Sequence, residues 1–421
     1  MPAGFDYPQP AATLFLKFNI VMKSDHWLRE AVIYQIFIDR FNRGGNGVRN
    51  RTEPAEHRPV FCGGNLQGVT EKLDYLCDLG INTIWLSPFN STPAYHGYHV
   101  TDFFGVEKRF GGRRAFEKLV RAAQSRKLRL IMDFVPNHIH RAHPWFQSAS
   151  VDKKSRHRPW FYWRKNGGCL NYLDYPELSK LNLDHPDARS EIIKAARHWL
   201  DCGIDGFRLD HALGPSLGFW REFRRSLKAH KPEVALIGEV AFWGIQPEHL
   251  NTIRLPNKRS HLLAQQLGFD VLAPAMREYA GVFDGLLDFH FQKVLKLVAR
   301  SKTRIPQAFI QEMLDRHYAS FPKSCVLLSF LDNHDMDRFL FEAGNNKSRL
   351  TQAAEIQFAQ SSPPIIYYGT EIGMSQAKRI SGDYGDLEAR RMMQWKTPDR
   401  SLFKTYQRLI RNWKQLHGGA W

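Results

Sequence analysis

"GFRLDHA", residues 206–212, decides the fold, because it sets two ions of opposite charge inside a short apolar run. In an extended chain successive side chains point to opposite faces, so Arg208 and Asp210 share one face and Leu209 takes the other. Desolvating an ion costs several kcal/mol, and charges are buried when they are paired or functional. A strand of this kind is therefore either a structural ion pair or one wall of a site, and the rest of the chain has to separate the two.

Working outward, seven more β-branched or apolar runs repeat the pattern, each followed by polar residues and a helical stretch. They are "AVIYQIF" (31–37), "INTIWLS" (81–87), "LRLIMDF" (128–134), "VALIGEV" (234–240), "GLLDFHF" (285–291), "CVLLSFL" (325–331) and "PPIIYYG" (363–369). The helical stretches carry apolar residues at 3–4 spacing. In "LQGVTEKLDYLCDLG" these are Leu66, Val69, Leu73 and Leu76, with Gly80 placed to end the helix. In "LFKTYQRLIRNWKQL" (402–416) Leu402, Phe403, Tyr406, Leu409, Ile410 and Trp413 share one face. Strands alternating with helices give a parallel sheet, and eight such units predict a (β/α)8 TIM barrel.

The spacing also predicts the domain plan. Residues 1–25 form a lead, 26–138 and 186–421 the barrel, and 139–185 a subdomain inserted after the third strand, where the gap to the fourth is longest. The insertion holds "RPWFYWRKNGG" (158–168), whose Trp160, Phe161, Tyr162 and Trp163 either stack on a ligand or form a local core.

The chain's 421 residues suffice for one large core. No apolar run approaches the roughly 20 residues of a membrane span, and "AATLFLKFNIV" (11–21) is broken by Lys17 and lacks a cationic start and a cleavage site. Neither a membrane nor secretion is expected. Five widely spaced cysteines without a C-x-x-C pair point to a reducing, cytoplasmic setting. The formal net charge of +17 is spread along the chain with no dense run, which favours a basic surface over a nucleic-acid partner.

Barrel chemistry belongs at the C-terminal strand ends. Those ends supply "DFVPNH", then Arg208 and Asp210, then Glu239, then His334 and Asp335 in "LDNHD". Three carboxylates with no serine or cysteine nucleophile motif suit glycosidic bond cleavage, in which one carboxylate attacks and another donates a proton. Arg208 would keep Asp210 ionised, and neighbouring negative charge would raise the Glu239 pKa.

The motifs "DFVPNH", "LSKLN", "GFRLDHA", "IGEV" and "FLDNHD", in that order, make the chain resemble the α-amylase family of glycoside hydrolases over residues 26–416. The resemblance implies a retaining hydrolase of α-1,4-linked gluco-oligosaccharides. It casts Asp210 as nucleophile, Glu239 as general acid/base and Asp335 as the carboxylate that orients sugar hydroxyls. It places Arg208, His138 and His334 around the sugar being cleaved, with Tyr98 of "YHGYH" as a stacking platform and His96 beside it. "LSKLN" and the stretch 63–88 lean towards cyclomaltodextrinases and neopullulanases. No β-domain precedes or follows the barrel within the chain. The resemblance requires no cofactor; it assigns Asn137 to calcium, although "FNRGGNGVRN" (41–50) lacks the carboxylates of a calcium loop. Two alternatives stay open: glycosyl transfer by the same carboxylates, and a metal-dependent hydrolase using His138, His140 and His143.

Overall fold

The computed structural model describes residues 26–45, 57–173, 175–241, 247–267, 270–301, 305–382 and 384–417. The expectations for residues 1–25, and for part of the 41–50 loop, lie outside the described residues.

The eight runs form one closed parallel barrel. Its strands are β1 (Ile33–Ile36), β2 (Thr83–Leu86), β3 (Arg129–Phe134), β4 (Gly206–Leu209), β5 (Ala235–Gly238), β6 (Gly285–Leu287), β7 (Val326–Phe330) and β8 (Pro364–Tyr367). Each strand pairs with its neighbours in sequence, and β8 closes on β1. These strands are buried on both faces, which is why they read as unbroken apolar runs. Their two faces make two cores. Ile33, Trp85, Ile131, Ile237, Leu328 and Ile365 fill the barrel, while Tyr34, Ile84, Leu130, Leu236 and Ile366 pack outward against the helices.

Two elements depart from the sequence pattern. "GLLDFHF" is a strand only as far as Leu287, because Asp288 accepts a hydrogen bond from Phe291 N–H and so starts the helix Phe289–Arg300. The stretch after Asn65 is two helices, Leu66–Thr70 and Leu73–Leu79, the second ended by Gly80 in the left-handed region at φ 97°. The last helix, Arg400–His417, buries Leu402, Tyr406, Leu409, Ile410 and Trp413 as its spacing predicts.

Between β3 and the helix Pro186–Asp201 lies a small antiparallel sheet, in which Tyr175–Lys180 is flanked by His138–His140 and Asn171–Tyr172. Its aromatics pack on one another: Trp160 and Phe161 are buried, Trp163 stacks on Phe146 at 6.0 Å, and Arg158 lies 3.3 Å over Trp163. Of the two readings of "RPWFYWRKNGG", the structure favours the local core. Among the described residues, no helix is long and apolar enough to cross a membrane.

Candidate active site

Strand register builds the site. Asp133 on β3 lies opposite Arg208 on β4, which lies opposite Ile237 on β5. The period of two then turns Asp133, Arg208, Asp210 and Glu239 to the barrel axis at one end. Arg208, 1% exposed, donates through Nη1 to Asp133 Oδ1 and Asp210 Oδ1, each at 2.8 Å, and its Nη2 stands 2.5 Å from Glu239 Oε1. The shared face expected for Arg208 and Asp210 is present, but the pair is not isolated, since one guanidinium serves three carboxylates.

That sharing changes the protonation expected from sequence. Burial above all, then the charges of Glu239 and Asp133, raise the Asp210 carboxyl well above its ordinary value, against the pull of Arg208. Burial and the charge of Asp335 likewise raise Glu239, although Arg208 and the His211 N–H pull the other way. Asp133 is pushed up to about 6, chiefly by burial. Arg208 thus opposes the rise at Asp210 without cancelling it. Carboxyls this close and this dry share protons, and they titrate as a group.

Asp335 differs. Burial would raise its carboxyl, but His334, Arg390 and Arg208 outweigh it and hold it below the usual range. Arg390 Nη2 contacts Asp335 Oδ1 at 2.9 Å, while its Nε donates to the His334 carbonyl at 2.8 Å and its Nη1 to Tyr95 Oη at 3.1 Å.

His334 links the two sides of the mouth. Gln35 Nε2 donates to its Nδ1 at 2.8 Å, which leaves the ring proton on Nε2, facing Tyr98 Oη at 2.6 Å and Asp335 Oδ2 at 3.1 Å. The Tyr98 hydroxyl donates to Asp133 Oδ2 at 2.9 Å, and its ring stacks on His334 with centroids 5.5 Å apart and planes 4° apart. His96 accepts the Tyr98 N–H at 3.1 Å, and burial, followed by His99, pulls its pKa well down. His138 stacks on Tyr172 at 4.3 Å. The structure thus gathers Tyr98, His96, His138, Arg208, Asp210, Glu239, His334 and Asp335 at one mouth.

Asn137 is the exception. Its Oδ1 accepts from Lys180 Nζ at 2.6 Å, and the same Nζ donates to the Gly214 carbonyl at 3.0 Å. An amine holds the oxygens a calcium ion would need, so the residues here do not fit that ion and the assignment of Asn137 to it is corrected. The metal-dependent alternative fails on geometry too. His138 faces Tyr172, His140 stacks on His99 at 5.4 Å, and His143 caps the helix Pro144–Val151. Among the described residues no group of three or more His, Cys, Asp or Glu is arranged to hold a metal.

Sequence reading missed several neighbours. Asp133, Trp85 and Gln35 lie inside quoted strands on the inward parity that singled out Arg208, so the same argument would have found them. His211 required the fold: it sits in the left-handed region at φ 43°, and its N–H donates to Glu239 Oε2 at 2.9 Å. Tyr172 comes from the insertion, its ring edge-on to His211 at 4.7 Å, and the charges of Asp210, Glu239 and Asp335 all add to the effect of burial in raising its pKa. Arg390 follows β8 and carries no local signal.

The family description "Alpha amylase, catalytic domain" matches residues 35–171 and 169–417. Alpha-amylase 2 of Dictyoglomus thermophilum is 35% identical over 390 residues, which are 91% of this chain and 63% of that protein. A cyclomaltodextrinase of a Bacillus species is 32% identical over 428 residues, covering 97% of this chain and 68% of its own length. The crystal structure of an alpha-amylase from Geobacillus thermoleovorans, complexed with acarbose, superposes with a TM-score of 0.72 at 27% identity, over 94% of this chain and 82% of that one. The chain thus spans about two thirds of the length of the two curated relatives. With that match running from β1 to the last helix, and with the mouth carrying the carboxylates its motifs announce, the chain belongs to the alpha-amylase family of glycoside hydrolases.

Proposed function

We propose that the protein is a retaining glycoside hydrolase of α-1,4-linked gluco-oligosaccharides, and that Asp210 and Glu239 carry the reaction. The observation that carries this reading is the placement of those two carboxyls at the ends of neighbouring strands β4 and β5, both on Arg208. Close carboxyls in a dry site disfavour double ionisation, so one can hold a proton as acid while the other attacks. Neighbouring strands also suit the roughly 5–5.5 Å separation of retaining enzymes.

Glu239 donates its proton to the glycosidic oxygen while Asp210 attacks the anomeric carbon. The bond to the leaving chain breaks, the chain departs as an alcohol, and a β-glycosyl ester forms on Asp210. Glu239, now a carboxylate, takes a proton from water, whose oxygen attacks the same carbon and frees Asp210. Two inversions give net retention. Asp335, ionised beside Arg390, orients sugar hydroxyls; the stacked pair of Tyr98 and His334 forms a wall. Among the described residues the buried Nε2 of His211 has no hydrogen-bond partner, and it is placed to bond a sugar hydroxyl. The reaction needs no cofactor. The names of the relatives support maltodextrins, cyclic or linear, as the substrate class. A cytoplasmic setting is part of the proposal and is supported by the five cysteines, none of which forms a disulfide among the described residues.

Proton NMR of freshly cleaved maltohexaose tests the chemistry: the α-anomer is expected first, and initial β-anomer would overturn both roles. Chromatography of products from maltohexaose, cyclodextrin, pullulan and sucrose separates hydrolysis from transfer.

A further inference from the structure

Lys180 ends the central strand of the inserted sheet and is 1% exposed. Its two oxygen partners come from different segments: Asn137 lies after β3, and Gly214 lies four residues beyond Asp210 on the loop after β4. One side chain therefore ties the insertion to the loop that continues from Asp210. Both partners are neutral amide-type oxygens, the ligands a hard cation takes. The cradle is closely shaped, since a Cβ at Gly214 would fall 1.9 Å from Asn137 Oδ1. We propose that the Lys180 amine is a tethered substitute for a structural divalent cation at this joint, so that the insertion is locked to the Asp210 loop without metal.

The surroundings agree with that arrangement. Burial, then the charges of Arg254 and Lys258, disfavours positive charge at Lys180, with Asp184 opposing. A free divalent ion at the same point would add charge where charge is already disfavoured. Losing the amine leaves two buried oxygens without a donor, which is more damaging than losing a surface hydrogen bond.

The test uses the whole protein and reads stability. Thermal unfolding of the wild type is expected to be unchanged after dialysis against EDTA, and unchanged by millimolar CaCl2. Lys180→Met is expected to lower Tm by several degrees and to speed amide exchange at residues 137–140 and 211–214, with no response to CaCl2. Lys180→Asp shortens the side chain, opens the space of the amine and adds a carboxylate to the Asn137 and Gly214 oxygens. Produced with CaCl2 present, this variant is expected to gain several degrees of Tm from the ion and to lose them to EDTA. Loss of wild-type stability on chelation, a wild-type Tm rise with CaCl2, or a Lys180→Asp variant as indifferent to calcium as Lys180→Met would each overturn the proposal. The wild-type measurements stand whether or not either variant folds.

Discussion

At the barrel mouth one buried cation, Arg208, is shared by Asp133, Asp210 and Glu239, whereas in the insertion a buried amine, Lys180, is held by two neutral oxygens. The first arrangement buries three carboxyls on one cation, and burial, aided by their mutual charge, raises their pKa values. The second sets no carboxylate beside the amine, and burial pulls the Lys180 pKa well down. A site that transfers protons needs the first kind of burial, and a joint that must stay fixed is better served by the second. The insertion keeps to its pattern elsewhere: Trp163 Nε1 donates to the Arg158 carbonyl at 2.7 Å, and Trp160 packs edge-on to Trp145 at 4.9 Å. Its Tyr172 reaches the mouth, with its ring against both His138 and His211.

The sharpest way to break this comparison is at the reacting carboxyls. Asp210→Asn and Glu239→Gln are each expected to lower kcat at least about a thousandfold, because both roles need an ionisable group. Their melting curves should stay at or above that of the wild type, since each change removes one of the charges crowded on Arg208. Activity above a tenth of wild type in either variant would remove that residue from the reaction.

Arg208→Ala comes next and tests the sharing itself. It strands three buried carboxyls, and breaking a buried ion pair typically costs about 3–5 kcal/mol. Without the guanidinium the carboxyls titrate higher in the folded state than in the unfolded chain, so the folded variant binds more protons and recovers stability as pH falls. Urea unfolding should therefore show a larger loss at pH 8 than at pH 5. An equal loss at both would mean the carboxyls are not coupled through Arg208.

What the sequence made legible follows the same division. Parity along β4 was enough to place Arg208 and Asp210 on one face, and the motif order placed Glu239 and Asp335 at the ends of the fifth and seventh strands, because barrel chemistry gathers at the C-terminal strand ends. The protonation of Asp210 was not legible. It depends on burial first, then on Glu239 and on Asp133, which is 75 residues away from Arg208 in sequence and directly opposite it in register. In the insertion the periodicity is weak, and local hydrogen bonds and ring contacts fix the fold. There the sequence left the "RPWFYWRKNGG" aromatics undecided between ligand and core, and it assigned Asn137 to an ion because nothing local reveals that Lys180 folds back onto it.

Tyr172→Ala sharpens the comparison where the two regions meet. If the insertion contributes one aromatic wall to the mouth, its loss should lower kcat/KM on maltohexaose by about 1–3 kcal/mol, a factor of roughly 5 to 150. Tyr98→Ala, on the barrel side, should do at least as much, since the Tyr98 hydroxyl also bonds Asp133. Tyr172→Phe should retain most of the activity if the ring supplies the contact. Kinetics of Tyr172→Ala equal to wild type on linear and cyclic substrates alike would confine the insertion to a structural role.

The smallest expected effect lies wholly within the insertion. His143, 4% exposed, caps the helix Pro144–Val151 by accepting the Trp145 N–H on Nδ1 at 3.1 Å, and burial, then His157, pushes its pKa down to about 3. The folded pKa lies below the ordinary 6.5 of a free histidine, so the unfolded chain binds the proton first and stability falls as pH drops from about 6.5 towards 3. Protonation also turns the capping nitrogen from acceptor to donor, which removes a cap worth about 1 kcal/mol. His143→Asn keeps an acceptor that does not titrate. His99, His211 and His334, held down at about 4, 3 and 3, lose their neutral form in the same window in both proteins and cancel in the difference. The Tm of His143→Asn should therefore fall less than that of the wild type between pH 7 and pH 4.5, by a degree or two. Parallel curves would place the acid sensitivity of the fold in the barrel mouth alone.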